Sequence, residues 1–153
     1  MKKSIAIAAL GLISVGLAQP AAAYTVTPQG PFTATGPISI TDPLGNTVNC
    51  TFSVSGKVLT TNKPKVYTAA LSGGDASCGT TTTVYGTPWM WGAMNATQLN
   101  FPHFGINTAN GTCYGMVHSN LNSSGALSVS NRAIGTCKIS FTLQFNPVLT
   151  IVP

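Results

Sequence analysis

Between Cys137 and Phe145 every second side chain is apolar. Cys137, Ile139, Phe141, Leu143 and Phe145 fall on one side, and Lys138, Ser140, Thr142 and Gln144 on the other. Successive side chains of an extended strand point to opposite faces, so this stretch can bury one face and hydrate the other; a helix would scatter both sets around its axis. The pattern recurs from Val48 to Ser55, where Val48, Cys50, Phe52 and Val54 alternate with Asn49, Thr51, Ser53 and Ser55. In both stretches a cysteine occupies the apolar face, where a disulfide could join strands from within the core. Shorter strand candidates are residues 25–27, 32–40, 58–60, 66–71, 80–85, 98–101, 113–118, 127–130 and 148–152. Turn residues separate them. Ser55-Gly56-Lys57 suggests a tight hairpin into Val58, Asn122-Ser123-Ser124-Gly125 a second hairpin, and Leu71 to Asp75 a break before Cys78. Short strands at such spacing predict an all-β chain with a single antiparallel β-sandwich or barrel-like domain over residues 24–153.

The first 23 residues read differently. Lys2 and Lys3 precede an apolar run from Ile5 to Leu17, and Ala21-Ala22-Ala23 follows. That is the pattern of a cleaved secretory signal peptide, and the run is too short for a spanning helix of about 20 residues. Export predicts a secreted or cell-surface location, reached through the periplasm, and no later segment is long and apolar enough to make a transmembrane helix. Four cysteines (Cys50, Cys78, Cys113 and Cys137) behind such a leader read as two disulfides. Three connectivities are open, of which the sequential one, Cys50–Cys78 with Cys113–Cys137, is preferred. A zinc site fits poorly, because there is no Cys-x-x-Cys and no histidine at ligand spacing from a cysteine.

Charge narrows the function further. Beyond residue 23 only Lys57, Lys63, Lys65, Arg132 and Lys138 stand against Asp42 and Asp75. Nucleic-acid binding neutralises many phosphates with clustered cations, and three lysines beside an expected hairpin do not supply that. Low charge instead weakens the repulsion between copies and leaves sheet edges poorly guarded, which permits self-association. The two aspartates lie in Asp-Pro and Gly-Gly-Asp turns, where aspartate serves turn geometry, so paired-carboxylate hydrolysis has no candidates. Serines are plentiful, but no Gly-x-Ser-x-Gly elbow is present. His103, within Phe101-Pro102-His103-Phe104, reads as a loop histidine packed between aromatics, and His118 as a solvent-facing strand end. Neither enzymatic activity nor a cofactor or metal is expected.

The most unusual segment runs from Thr87 to Met94. It holds both tryptophans and two of the four methionines: Trp89, Met90, Trp91 and Met94. In a strand Trp89 and Trp91 share one face and Met90 takes the other. Two readings follow: a strand buried between layers, or an exposed aromatic and thioether patch that meets an apolar interface. The patch, extended by Phe101, Phe104 and Ile106, is the candidate interaction site.

Several ordered stretches resemble the secreted bacterial protein activators of alkane oxidation, the PraA/PraB group. They are Thr-Val-Thr-Pro (25–28), Phe-Thr-Ala-Thr-Gly (32–36), Asn-Cys-Thr-Phe-Ser-Val-Ser-Gly-Lys-Val (49–58), Ala-Ser-Cys (76–78) and Thr-Pro-Trp (87–89). Gly-Thr-Cys (111–113), Gly-Ala-Leu-Ser-Val-Ser-Asn (125–131), a second Gly-Thr-Cys (135–137) and Asn-Pro-Val-Leu-Thr-Ile (146–151) complete the set. The resemblance implies an extracellular, non-catalytic protein that helps bacteria use long-chain alkanes by dispersing or emulsifying the hydrocarbon. It carries no catalytic motif. The residues alone also admit a structural or adhesive cell-surface subunit, built as a pilin-like or matrix β-sandwich.

Overall fold

A computed structural model describes residues 23–61 and 63–153; the expected leader, apart from Ala23, lies outside the described residues. The alternating segments form twelve strands, and there is no helix among the described residues. They are β1 (Thr25–Thr27), β2 (Gly30–Thr41), β3 (Thr47–Val58), β4 (Pro64–Ser72), β5 (Thr83–Tyr85) and β6 (Trp89–Met90). The remainder are β7 (Gly92–Asn95), β8 (Gln98–Thr108), β9 (Gly111–Leu121), β10 (Ala126–Ile134), β11 (Cys137–Asn146) and β12 (Thr150–Val152).

Ten of these strands make one antiparallel sheet in the order β5-β8-β9-β10-β11-β2-β3-β4-β6, with β7 also on β8. The sheet curls so that its apolar face turns inward, giving a half-barrel rather than a flat layer. The chain between β6 and β7 draws its two ends together. Lys65 and Val66 of β4 pair with Met90 and Trp89, the Trp91 amide donates to the Pro64 carbonyl at 2.9 Å, and Gly92 and Ala93 then pair with Asn100 and Leu99 of β8. A separate ribbon of β1 and β12 carries the buried Val26, and Leu149 just before β12 is buried as well.

All six phenylalanines and both tryptophans are buried. Their rings interlock across the interior: Phe52 meets Phe104 and Phe141 edge-on at 5.9 and 5.6 Å, and Phe32 meets Phe145 at 5.5 Å. Aromatic pairs at such separations add to the hydrophobic gain from their area.

The sequential disulfides are present. Cys50–Cys78 ties β3 to the loop after β4, and Cys113–Cys137 ties β9 to β11, with Cα separations of 5.8 and 5.7 Å. The second bond lies at a weak place in the sheet. Registered pairing of β9 with β10 is confined to Leu121 with Leu127 and Asn120 with Ser128, and the disulfide joins the strands flanking the far part of β10.

The hairpin expected at Ser55-Gly56-Lys57 is not formed. β3 runs unbroken to Val58, paired with β2 throughout, and the β4 register shifts between Ser55 and Gly56. Glycine is needed there for close approach rather than for a turn. A Cβ at Gly56 would collide with the Lys65 carbonyl and lie 2.7 Å from the Phe32 ring. Residues 58–60 are therefore the end of β3 and the start of its loop. The turn over residues 122–125 and the break after Leu71 are where the sequence places them.

Candidate interaction surface

Both aspartates serve turns and loops. Asp42 closes the β2–β3 turn, accepting from the Leu44 and Asn46 amides at 2.9 Å each and from the Asn46 carboxamide at 3.0 Å. The Asn110 carboxamide, in the β8–β9 turn, reaches across to it at 2.5 Å. This last bond is the main reason the Asp42 carboxyl is held down, from 3.8 to about 2; burial opposes it, and the Asn46 and Leu44 donors add to it. Asp75 accepts from the Asn49 amide at 2.7 Å. Among the described residues no group of three or more His, Cys, Asp or Glu side chains could hold a metal ion.

His103 is not in a loop between aromatics. It lies on β8, exposed, where it hydrogen-bonds the Tyr114 hydroxyl and stacks on that ring with centroids 5.9 Å apart. His118 lies within β9 and is half-buried.

The tryptophan half of the expected patch is corrected: Trp89 and Trp91 are each 1% exposed. The physical cause is the closure of the half-barrel. Alternation does place both indoles on one face, and the pairing of this segment with β4 and β8 turns that face inward. Trp91 packs edge-on against Phe101 at 4.2 Å, and Trp89 lies tilted against Phe104 at 5.1 Å. Phe101, Phe104 and Ile106, expected to extend the patch, are interior for the same reason. Both indole Nε1 groups are buried without a hydrogen-bond partner, a cost of about 1–3 kcal/mol each that the aromatic burial must offset.

Two side chains of that segment do lie outside. Met90 is 41% exposed and Met94 49%, and Met116, which the sequence did not single out, is 48% exposed. Methionine is usually interior, so three on the outside are informative. Met90 lies on β6 beside Lys65 of β4, Met94 on β7 and Met116 on β9. On β9, Tyr114, Met116 and His118 alternate with the buried Cys113 and Val117. Across the sheet Tyr85, Gly105 and Tyr114 form one row, and the Tyr85 ring lies 2.6 Å from where a Gly105 Cβ would be. The missing side chain lets the Tyr85 and Tyr114 rings stack with centroids 6.2 Å apart. Tyr85, Tyr114 and His103 thus stack side by side on the outside of the aromatic core. Tyr114 and Met116 could have been placed outside from the sequence. Once Cys113 is assigned inward as a disulfide partner, alternation sends 114, 116 and 118 outward.

These features define a disulfide-stapled, curled β-sheet protein with methionine and tyrosine side chains exposed on its outside. The chain belongs to the family described as alkane oxidation protein activator PraA/PraB-like, whose family model matches residues 1–153, the entire sequence. No curated protein and no solved structure matches it. The family description ties the chain to activation of alkane oxidation. Its two disulfides suit an extracellular or periplasmic compartment. No helix among the described residues is long and apolar enough to cross a membrane.

Proposed function

We propose that this protein promotes alkane use without catalysing a reaction, by adsorbing at the oil–water interface outside the cell and keeping the hydrocarbon dispersed. The observation that carries this reading is the outward placement of Met90, Met94, Met116 and Tyr114 while every phenylalanine and tryptophan is retained inside. Each of the four side chains is about half exposed, so moving them into oil yields roughly 1 kcal/mol apiece at about 25 cal/mol per Å². A few kcal/mol per molecule favours adsorption. Unbranched thioethers conform to a fluid surface with no fixed shape. The opposite faces, rich in Ser and Thr, stay hydrated. The disulfides and the closed core keep the adsorbed molecule from spreading, and the expected leader delivers it outside.

The test is emulsification of hexadecane by the oxidised protein and by a Met90→Ser/Met94→Ser/Met116→Ser variant. The variant should fold normally and stabilise markedly less droplet area; equal emulsification by both would refute this face as the contact surface.

A self-associating structural or adhesive subunit is supported by a different observation. The short β9–β10 pairing leaves Ser130 to Ala133 exposed on β10, without registered partners on the β9 side, and open edges accept further strands. Electron microscopy of the oxidised protein separates the readings: fibres favour assembly, and a monomer favours interfacial adsorption.

A further inference from the structure

The outer face of β11, β2, β3 and β4 differs from that of β7 and β9, which carry Met94 and Met116. Two adjoining grooves, of about 460 and 420 Å³, cross it and share Thr33, Ser55 and Asn146. None of the residues lining either groove is charged. The first holds cross-strand hydroxyl pairs, Thr35 with Ser53 at 3.1 Å and Ser55 with Thr68 at 2.6 Å. Each paired hydroxyl retains acceptor capacity. The Asn146 side chain is exposed and makes no hydrogen bond of its own among the described residues. Beside the second groove stands Tyr67, 47% exposed, steadied by the Lys65 ammonium 5.3 Å from its ring centroid. Gly56 also lines that groove.

We propose that this face binds an uncharged polysaccharide. Such a ligand presents hydroxyls, which the Ser, Thr and Asn groups can match as donors and acceptors. It also presents the C–H face of a sugar ring, which stacks on an exposed aromatic such as Tyr67. No lining side chain is charged and only the Lys65 ammonium stands beside Tyr67, so a charged polymer finds little counter-charge, and a hydrocarbon would strip water from the hydroxyls without replacing their bonds. Three strand spacings separate β11 from β4, roughly 14 Å, enough for a short run of sugar rings. Met90 on β6 pairs with Lys65 of β4 and so borders the second groove, whereas Met94 and Met116 lie on β7 and β9.

Native affinity electrophoresis of the oxidised protein in gels containing hydroxyethyl cellulose, dextran or mannan tests this. Retardation is expected in at least one gel, at unchanged strength in 0.5 M salt. Tyr67→Ala and Asn146→Ala should each weaken it roughly tenfold, about 1.4 kcal/mol. Tyr67→Phe should preserve it, and Met94→Ser should migrate as the parent does. Absence of retardation in all three gels would overturn the proposal. So would retardation that survives both alanine substitutions, or that disappears in salt.

Discussion

The Asp42 carboxylate joins two hairpin tips, its own and that of β8–β9 through Asn110. Because its folded-state value, about 2, lies below the ordinary 3.8, the stabilisation it gives is complete above about pH 4. It is lost as the pH falls through 3.8 towards 2. Thermal melts of the parent and of Asn110→Ala should therefore differ at neutral pH and converge near pH 2; a gap that stays constant down to pH 2 would contradict the clasp. Inside the barrel the side chains are graded by burial. Trp91→Ala should cost about 3–5 kcal/mol in urea titrations, as expected for emptying an aromatic site. Met94→Ser should stay within about 0.5 kcal/mol, as for an exposed position. The sequence shows that Trp89 and Trp91 share a face and Met90 takes the other. It does not show which face is interior, because that depends on pairing with Pro64 to Val66, more than twenty residues earlier, and on β8.

Strict alternation makes β11 legible almost to the residue and β3 legible up to Ser55, and the preferred one of three open cysteine pairings is the one present. Gly56 is the instructive failure. A glycine between polar residues imitates a turn, yet here it admits the Lys65 carbonyl and the Phe32 ring at a register shift. Local composition cannot separate a glycine required by a neighbour distant in sequence from one required by its own backbone. The disulfides act at this scale. They close 28 and 24 residues, and chain-entropy reasoning assigns each about 3–4 kcal/mol. Urea unfolding of Cys113→Ser/Cys137→Ser should show a loss of that order. It should be accompanied by faster amide exchange in β9 and the far half of β10, where few ladder bonds hold the strands together. Uniform exchange across the sheet would argue against a local staple.

At the scale of the molecule, a curled sheet separates what its side chains can do. The interior takes the phenylalanine and tryptophan rings, and the outside carries methionine and tyrosine side chains beside strand faces rich in hydroxyls. Adsorption to oil should therefore leave the core closed. Trp89 and Trp91 emission from protein bound to hexadecane droplets should remain as blue-shifted as in solution, whereas a red shift would mean that the barrel opens as it adsorbs. The most direct test of the account is the interfacial tension of hexadecane against buffer containing the oxidised protein. A size-matched globular protein serves as the control. Action at the oil surface predicts a larger fall in tension than the control produces, at low protein concentration; a fall no greater than the control's would contradict it.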